Sequence, residues 1–163
     1  MKTLLIVYCS RTGGTHQMAR AAADAAAAEP GVAVRLLAAD QASGADLVAA
    51  DGAIFATPEN LAAIAGPMKD FFDRAYYPAL GRIEGRPYAA LICAGSDGEN
   101  AARQIKRIAT GWRMRPVAEP LIVCTRAQSP EAILAPKAIC REDLARCAEL
   151  GAAFAAGLES GIF

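Results

Sequence analysis

The chain has 163 residues, 54% of them hydrophobic and 21% charged, with 17 Lys plus Arg against 17 Asp plus Glu. Such a length and composition suit one globular domain with a substantial core. The zero formal net charge leaves no electrostatic footprint for nucleic acid or an anionic membrane, so neither is expected as a partner.

No apolar run approaches the roughly 18 residues of a membrane span, and Met1-Lys2 leads straight into an apolar strand with no room for a signal peptide. No membrane insertion and a cytoplasmic location are the expectations. Cys9, Cys93, Cys124, Cys140 and Cys147 form no C-x-x-C pair, and three of them end apolar strands; they read as buried cytosolic thiols. With His16 the only histidine, no metal site is expected.

In chain order, residues 3–9 form an apolar strand. It runs into Ser10-Arg11-Thr12-Gly13-Gly14-Thr15 and then an alanine-rich helix over 14–28, stopped at Pro30-Gly31. A turn with three hydroxyls, free backbone N–H groups and a helix N-terminus behind it can hold a phosphate dianion. An ordinary strand-to-helix turn with a hydroxyl cap is the plain alternative. A short strand follows at 32–37, and the small polar stretch 40–50 leaves room for one helical turn. Strand three spans 53–57 and stops at Pro58; 59–66 reads as a loop. Pro67 suits the first position of a helix carrying Met68, Phe71, Phe72, Ala75 and Tyr76 at helical spacing and ending near 77–78.

Residues 81–87 connect to a fourth strand, 88–94, and the turn Gly95-Ser96-Asp97-Gly98. A helix over 99–114 places Ile105, Ile108, Ala109 and Trp112 on one face. Strand five is 121–124, extended back toward Val117; 125–139 reads as irregular. The last helix spans 141–158, with Leu144, Cys147, Ala148, Gly151, Phe154 and Leu158 facing inward.

Apolar strands alternating with helices argue an α/β fold with a parallel sheet covered on both faces. Ligands of such sheets lie outside the carboxyl ends of the strands, at the switch point. The loops to inspect are therefore 10–15, 57–66 and 95–100, all polar and small. Spacing narrows the ligand. No lysine follows Gly13 or Gly14 as a Walker loop requires, and no G-x-G-x-x-G follows strand one. A C-x5-R phosphatase loop starting at Cys9 would need arginine where Thr15 stands.

The pattern that fits is S-x-T-G-x-T at Ser10–Thr15. With Thr57-Pro58 to Gly66, the helix Met68-Lys69-Asp70-Phe71-Phe72-Asp73-Arg74 and the turn Gly95–Gly98, the chain resembles the flavodoxin-like superfamily. More narrowly, it resembles the small proteins grouped with NAD(P)H-dependent FMN reductases and quinone reductases. The resemblance covers nearly the whole chain, as one domain over 1–163, and implies a three-layer doubly wound sandwich. Its five-stranded parallel sheet would have the order 2-1-3-4-5. It implies FMN as cofactor, its phosphate held by Ser10, Arg11, Thr12, Gly13, Gly14 and Thr15. Thr57, Pro58, Glu59, Asn60 and Leu61 would contact one side of the isoalloxazine, and Gly95, Ser96, Asp97 and Gly98 its pyrimidine edge or other face. Arg11 either adds charge at the phosphate or points to solvent. Glu59 and Asp97 either disfavour an anionic reduced ring or are solvated loop acids.

Two departures from the resemblance stand out. No aromatic residue occupies the second or third loop, and the chain is neutral where electron carriers of this superfamily are acidic. Both favour an oxidoreductase passing electrons from NAD(P)H through FMN to a quinone, a flavin or a similar small-molecule acceptor. No side-chain catalyst is assigned. An electron-transfer flavodoxin serving a protein partner is the alternative, and a regulatory module on the same fold a third. His16 reads as solvated, and Trp112 as packing or a dimer contact. Tyr76-Tyr77 read as core edge or as part of a pocket shared with a second subunit, compatible with a homodimer or higher oligomer. Arg103, Lys106, Arg107, Arg113 and Arg115 read as a solvated face or a contact for the NADPH phosphate.

Overall fold

The apolar runs of the sequence become one twisted sheet because they are buried on both faces. A computed structural model describes residues 1–163. Its elements in chain order are β1 (Lys2–Tyr8), α1 (Gly14–Ala26), β2 (Val32–Ala38), α2 (Gly44–Ala49), β3 (Gly52–Asn60), β4 (Ala63–Ile64), α3 (Gly66–Ala79), β5 (Pro87–Ala94), α4 (Glu99–Gly111), β6 (Arg115–Pro116), β7 (Leu121–Cys124), α5 (Pro130–Leu134) and α6 (Arg141–Ser160). The parallel strands run β2-β1-β3-β5, with β7 beyond β5, which is the expected order 2-1-3-4-5.

Alternate residues of each strand feed opposite layers. Leu5, Val7, Phe55, Ala90 and Ile92 meet α2, α3 and α4, where Phe71, Phe72 and Trp112 complete an aromatic core. Leu4, Ile6, Ile54, Leu91 and Val123 meet α1 and α6. The alanines of α1 let α6 approach so closely that a Cβ at Gly151 would lie 2.1 Å from the Ala22 carbonyl oxygen. Across the sheet, Arg74 ties α3 to the segment after β2, donating to the Ala42 and Ala39 carbonyls at 2.7 and 2.6 Å.

The structure departs from the sequence expectations where tertiary pairing overrides local signals. Pro58 does not stop β3. The strand continues to Asn60, with Pro58 paired to Cys93. β1 pairs with β3 only as far as Ala56, so the missing Pro58 N–H forfeits no ladder bond on that side. Residues 59–64, expected as loop, turn back as a hairpin, Glu59 opposite Ile64 and Asn60 opposite Ala63. The one helical turn expected within 40–50 is α2, started by a capping box between Ser43 and Asp46. The Ser43 hydroxyl, followed by Arg35 at 2.7 Å, holds the Asp46 carboxyl below the usual carboxylate range.

The fifth strand does not run back continuously toward Val117. β6 and β7 pair with opposite ends of β5, and residues 117–120 interrupt the edge between them. The irregular stretch 125–139 contains α5, capped by Ser129. Not all thiols are buried: Cys124 and Cys140 are exposed, while Cys9, Cys93 and Cys147 are buried. No helix is long and apolar enough to cross a membrane.

Candidate functional site

Two helices begin at the carboxyl ends of the strands with a glycine in the left-handed region, Gly13 at φ 92 before α1 and Gly98 at φ 90 before α4. Neither N-cap supplies a side-chain hydrogen bond, so each helix starts with unsatisfied N–H groups. The two ends are then treated differently. At α4 the Glu59 carboxylate accepts from the Gly98 N–H at 2.9 Å and the Ala101 N–H at 3.0 Å. At α1 Ser10 Oγ accepts from the Gly13 N–H at 3.2 Å, and the N–H groups of Gly14, Thr15 and His16 meet no acceptor within the protein. One helix end is closed by a carboxylate of the chain itself; the other is open and carries the positive end of its dipole.

The open end faces a cleft of about 200 Å³. Ser10, Arg11, Thr12, Gly14 and Thr15 form one wall, Pro58, Glu59 and Asn60 a second, and Cys93, Ala94 and Gly95 the floor. All three expected loops thus converge. A fourth wall, from Thr125, Ala127, Ile133, Leu134 and Lys137, was not among them. The doubly wound rule itself could have found it, since residue 125 follows the carboxyl end of β7.

The expected site residues divide by role. Ser10 and Arg11 are exposed, with Thr12 half-buried between solvent and cleft. Thr15 is buried, and its hydroxyl lies beside the Cys93 thiol. Gly13 turns the chain behind the wall. Gly14 is small of necessity: a Cβ there would lie 2.7 Å from Cys93 Sγ. Burial pushes the Cys93 thiol above its ordinary pKa, with the Thr15 hydroxyl and the Lys137 charge working against that rise.

Thr57 does not reach the cleft. It is 0% exposed and its Oγ1 accepts from the Cys9 thiol at 3.4 Å and the Ala65 N–H at 3.2 Å, pinning the base of the hairpin. Glu59 is not a solvated loop acid but the cap of α4. Leu61 stands fully exposed at the hairpin tip, where it and Ala62 have φ of 50 and 60. Non-glycine residues in that region cost about 1–2 kcal/mol each. The hairpin is held against α4 by Ile64 N–H donating to Gln104 Oε1 at 2.8 Å and by Asn100 Nδ2 donating to the Ala62 carbonyl. Ser96 and Asp97 are exposed at the rim, and Asp97 accepts from the Glu99 N–H at 3.2 Å. His16 is exposed and stacks on Tyr8 with centroids 4.9 Å apart. Trp112 is buried against Phe72, whereas Tyr76 and Tyr77 are exposed at the far end of α3. No group of three or more His, Cys, Asp or Glu residues is placed to hold a metal ion.

A family model described as NADPH-dependent FMN reductase matches residues 39–128, more than half of the chain. The chain belongs to the NADPH-dependent FMN reductase family. The matched stretch runs from α2 to the fourth wall and leaves out residues 10–15. A curated flavodoxin from Aquifex aeolicus is 35% identical over 98 residues, 60% of this chain and 53% of that protein. The chain therefore spans about half the length of that relative. Among solved structures, a flavodoxin from the domain Archaea superposes with a TM-score of 0.77 at 19% identity, over 96% of this chain and 99% of its own. A flavodoxin WrbA-like protein from Agrobacterium tumefaciens gives 0.76 at 20% identity, over 98% and 99% of the two chains. The rubredoxin oxygen:oxidoreductase of Desulfovibrio gigas gives 0.78 at 17% identity, over 99% of this chain and 37% of its own. At these identities the likeness establishes the fold, which is flavodoxin-like, as the sequence motifs imply. In this family member the loops of that fold converge on the one cleft.

Proposed function

We propose that this chain binds FMN in the cleft and passes electrons from NAD(P)H to a small acceptor such as a quinone or a flavin. The observation that carries the placement is the contrast between the two helix ends. An anionic tail is favoured at α1, where N–H groups lack acceptors, and disfavoured at α4, where Glu59 already lies. Ser10, Thr12 and the backbone of 13–15 would hold the phosphate, with Arg11 free to add charge. Pro58, Glu59, Asn60 and Leu61 would border the ring on one side, and Gly95, Ser96, Asp97 and Gly98 on the other. Thr57 acts from behind, fixing the hairpin. Bound FMN supplies hydride and electron transfer, chemistry that no side chain here offers.

The chain's own part is to orient and to leave access. None of the residues lining the cleft is aromatic, so no aromatic side chain covers the ring and a planar donor or acceptor has room to stack. With zero net charge, the chain lacks the overall acidic balance that would steer a basic redox protein to it. A second reading, an electron carrier with a protein partner, is favoured by the name of the Aquifex aeolicus relative.

Anaerobic addition of NADH or NADPH to the FMN-loaded protein separates the two. Loss of the visible flavin absorbance within seconds is the result expected of a reductase. FMN that stays oxidised with both nucleotides, yet is reduced by a redox protein, is the carrier's result. Protein that takes up no FMN refutes both.

A further inference from the structure

The segment 125–139 closes one side of the cleft, and its attachment to the phosphate loop is specific. The Lys137 N–H donates to the Thr12 carbonyl at 2.8 Å. Gln17 joins the same two segments, its amide nitrogen donating to the Gly13 and Lys137 carbonyls at 3.0 and 2.7 Å and its oxygen accepting from the Ile139 N–H at 3.1 Å. A Cβ on Gly14 would stand 3.4 Å from Lys137 Cβ, so the lysine stem is rooted against the loop proposed to hold phosphate. From there the half-buried side chain lines the cleft. Its Nζ donates to the carbonyls of Ala132, Ile133 and Ala135 at 2.8, 2.9 and 2.6 Å, around the end of α5.

Charge makes this arrangement incomplete. The ammonium has only neutral acceptors, and no carboxylate lies within ion-pair distance of it. A phosphate dianion brought into the cleft faces the opposite deficit: one helix dipole offers about half a charge, the hydroxyls none, and the Arg11 beside them is an exposed side chain whose charge water screens. Burying an anion without a counter-charge is costly.

We propose that Lys137 is a phosphate ligand of the cofactor site. Its ammonium, giving up one of its three carbonyl acceptors to the anion, neutralises that anion at the start of α1 and, keeping the other two, holds the 125–139 strap beside the cleft. The inference rests on the reading that FMN occupies the cleft, and it sets a difference between FMN and riboflavin, which lacks the phosphate.

The experiment measures dissociation constants of FMN and riboflavin by fluorescence quenching for the wild-type protein, Lys137→Met, Lys137→Gln and Lys137→Arg. Melting curves of all four confirm folding, and Lys137→Gln keeps a donor for the α5 carbonyls. FMN is expected to bind about 10- to 100-fold more weakly to the Met and Gln variants, the equivalent of one charged hydrogen bond. Riboflavin affinity is expected to be unchanged, and Lys137→Arg to restore most of the FMN affinity. Unchanged FMN affinity, or equal weakening of both flavins, overturns the assignment; the second result would make Lys137 a brace for the strap alone. Wild-type protein that binds neither flavin overturns the cofactor reading and this inference with it.

Discussion

Glu59 is the residue whose removal tests the construction of the cleft most sharply. Its carboxylate takes the Gly98 and Ala101 N–H groups at the start of α4, across 39 and 42 residues of chain, where Asp97 takes only that of Glu99, and it joins the β3–β4 hairpin to the Gly95–Gly98 turn. Gly98 and Ala101 are both buried, so their N–H groups have no water to fall back on. Each hydrogen bond to a charged acceptor contributes about 1.5–3 kcal/mol, and the charge near a helix N-terminus adds about 0.3–1 kcal/mol. Glu59→Ala should therefore destabilise the flavin-free protein by about 3 kcal/mol or more. In a domain of this size that is a fall in Tm of about 6–12 °C. Glu59→Gln keeps one acceptor oxygen and should lose about half as much. Thermal unfolding followed by far-UV circular dichroism reads both values. Because Glu59 acts on the ring side of the cleft, its loss should weaken FMN and riboflavin binding alike, the opposite of the Lys137 pattern. A Glu59→Ala protein melting within about 1 °C of wild type would refute the cap, since two orphaned buried N–H groups cannot cost so little.

Other expectations follow from close contacts and strain. Gly14→Ala should destabilise by about 1–3 kcal/mol through overpacking against Cys93, and adding Cys93→Ala should recover part of that loss in urea unfolding. A double mutant no more stable than Gly14→Ala would place the strain elsewhere. Ala62→Gly should raise stability by about 1 kcal/mol, since glycine adopts a φ of 60 without the Cβ penalty; a lower unfolding midpoint would contradict the turn geometry. In native protein at mild alkaline pH a thiol reagent should label Cys124 and Cys140 quickly and Cys9, Cys93 and Cys147 slowly. Burial pushes the last up to about 12, which keeps it a thiol rather than a thiolate. Rapid labelling of all five would mean the α1–α6 layer opens readily.

The fold was largely readable because its signals are local. Continuous apolar runs such as 88–94 mark strands buried on both faces, and Pro30-Gly31 and Pro67 mark helix limits. What escaped depends on partners distant in sequence. Pro58 reads as a strand stop, yet its missing donor costs nothing once β1 has ended at Tyr8. Thr57 carries a hydroxyl that suits a ligand, but Cys9 and Ala65 take it up. Glu59 and Asp97 are equivalent loop acids in sequence; Asp97 caps α4 from two residues away, and only the fold brings Glu59 to the same helix end from 39 residues away. The 125–139 stretch has two prolines and weak periodicity, and its order comes from Gln17 and Thr12, more than a hundred residues earlier. Ser43-x-x-Asp46 and Ser129-Pro130-Glu131 were visible cap signals that would have placed both short helices.

The central claim, that the open end of α1 receives the phosphate of a flavin cofactor, is tested most directly by titrating flavin-free protein with FMN and, separately, riboflavin. The account predicts saturable one-to-one binding of FMN, with riboflavin at least about 10-fold weaker for want of the charged hydrogen bonds. Equal affinity for the two flavins, or no saturable binding of FMN, would contradict it.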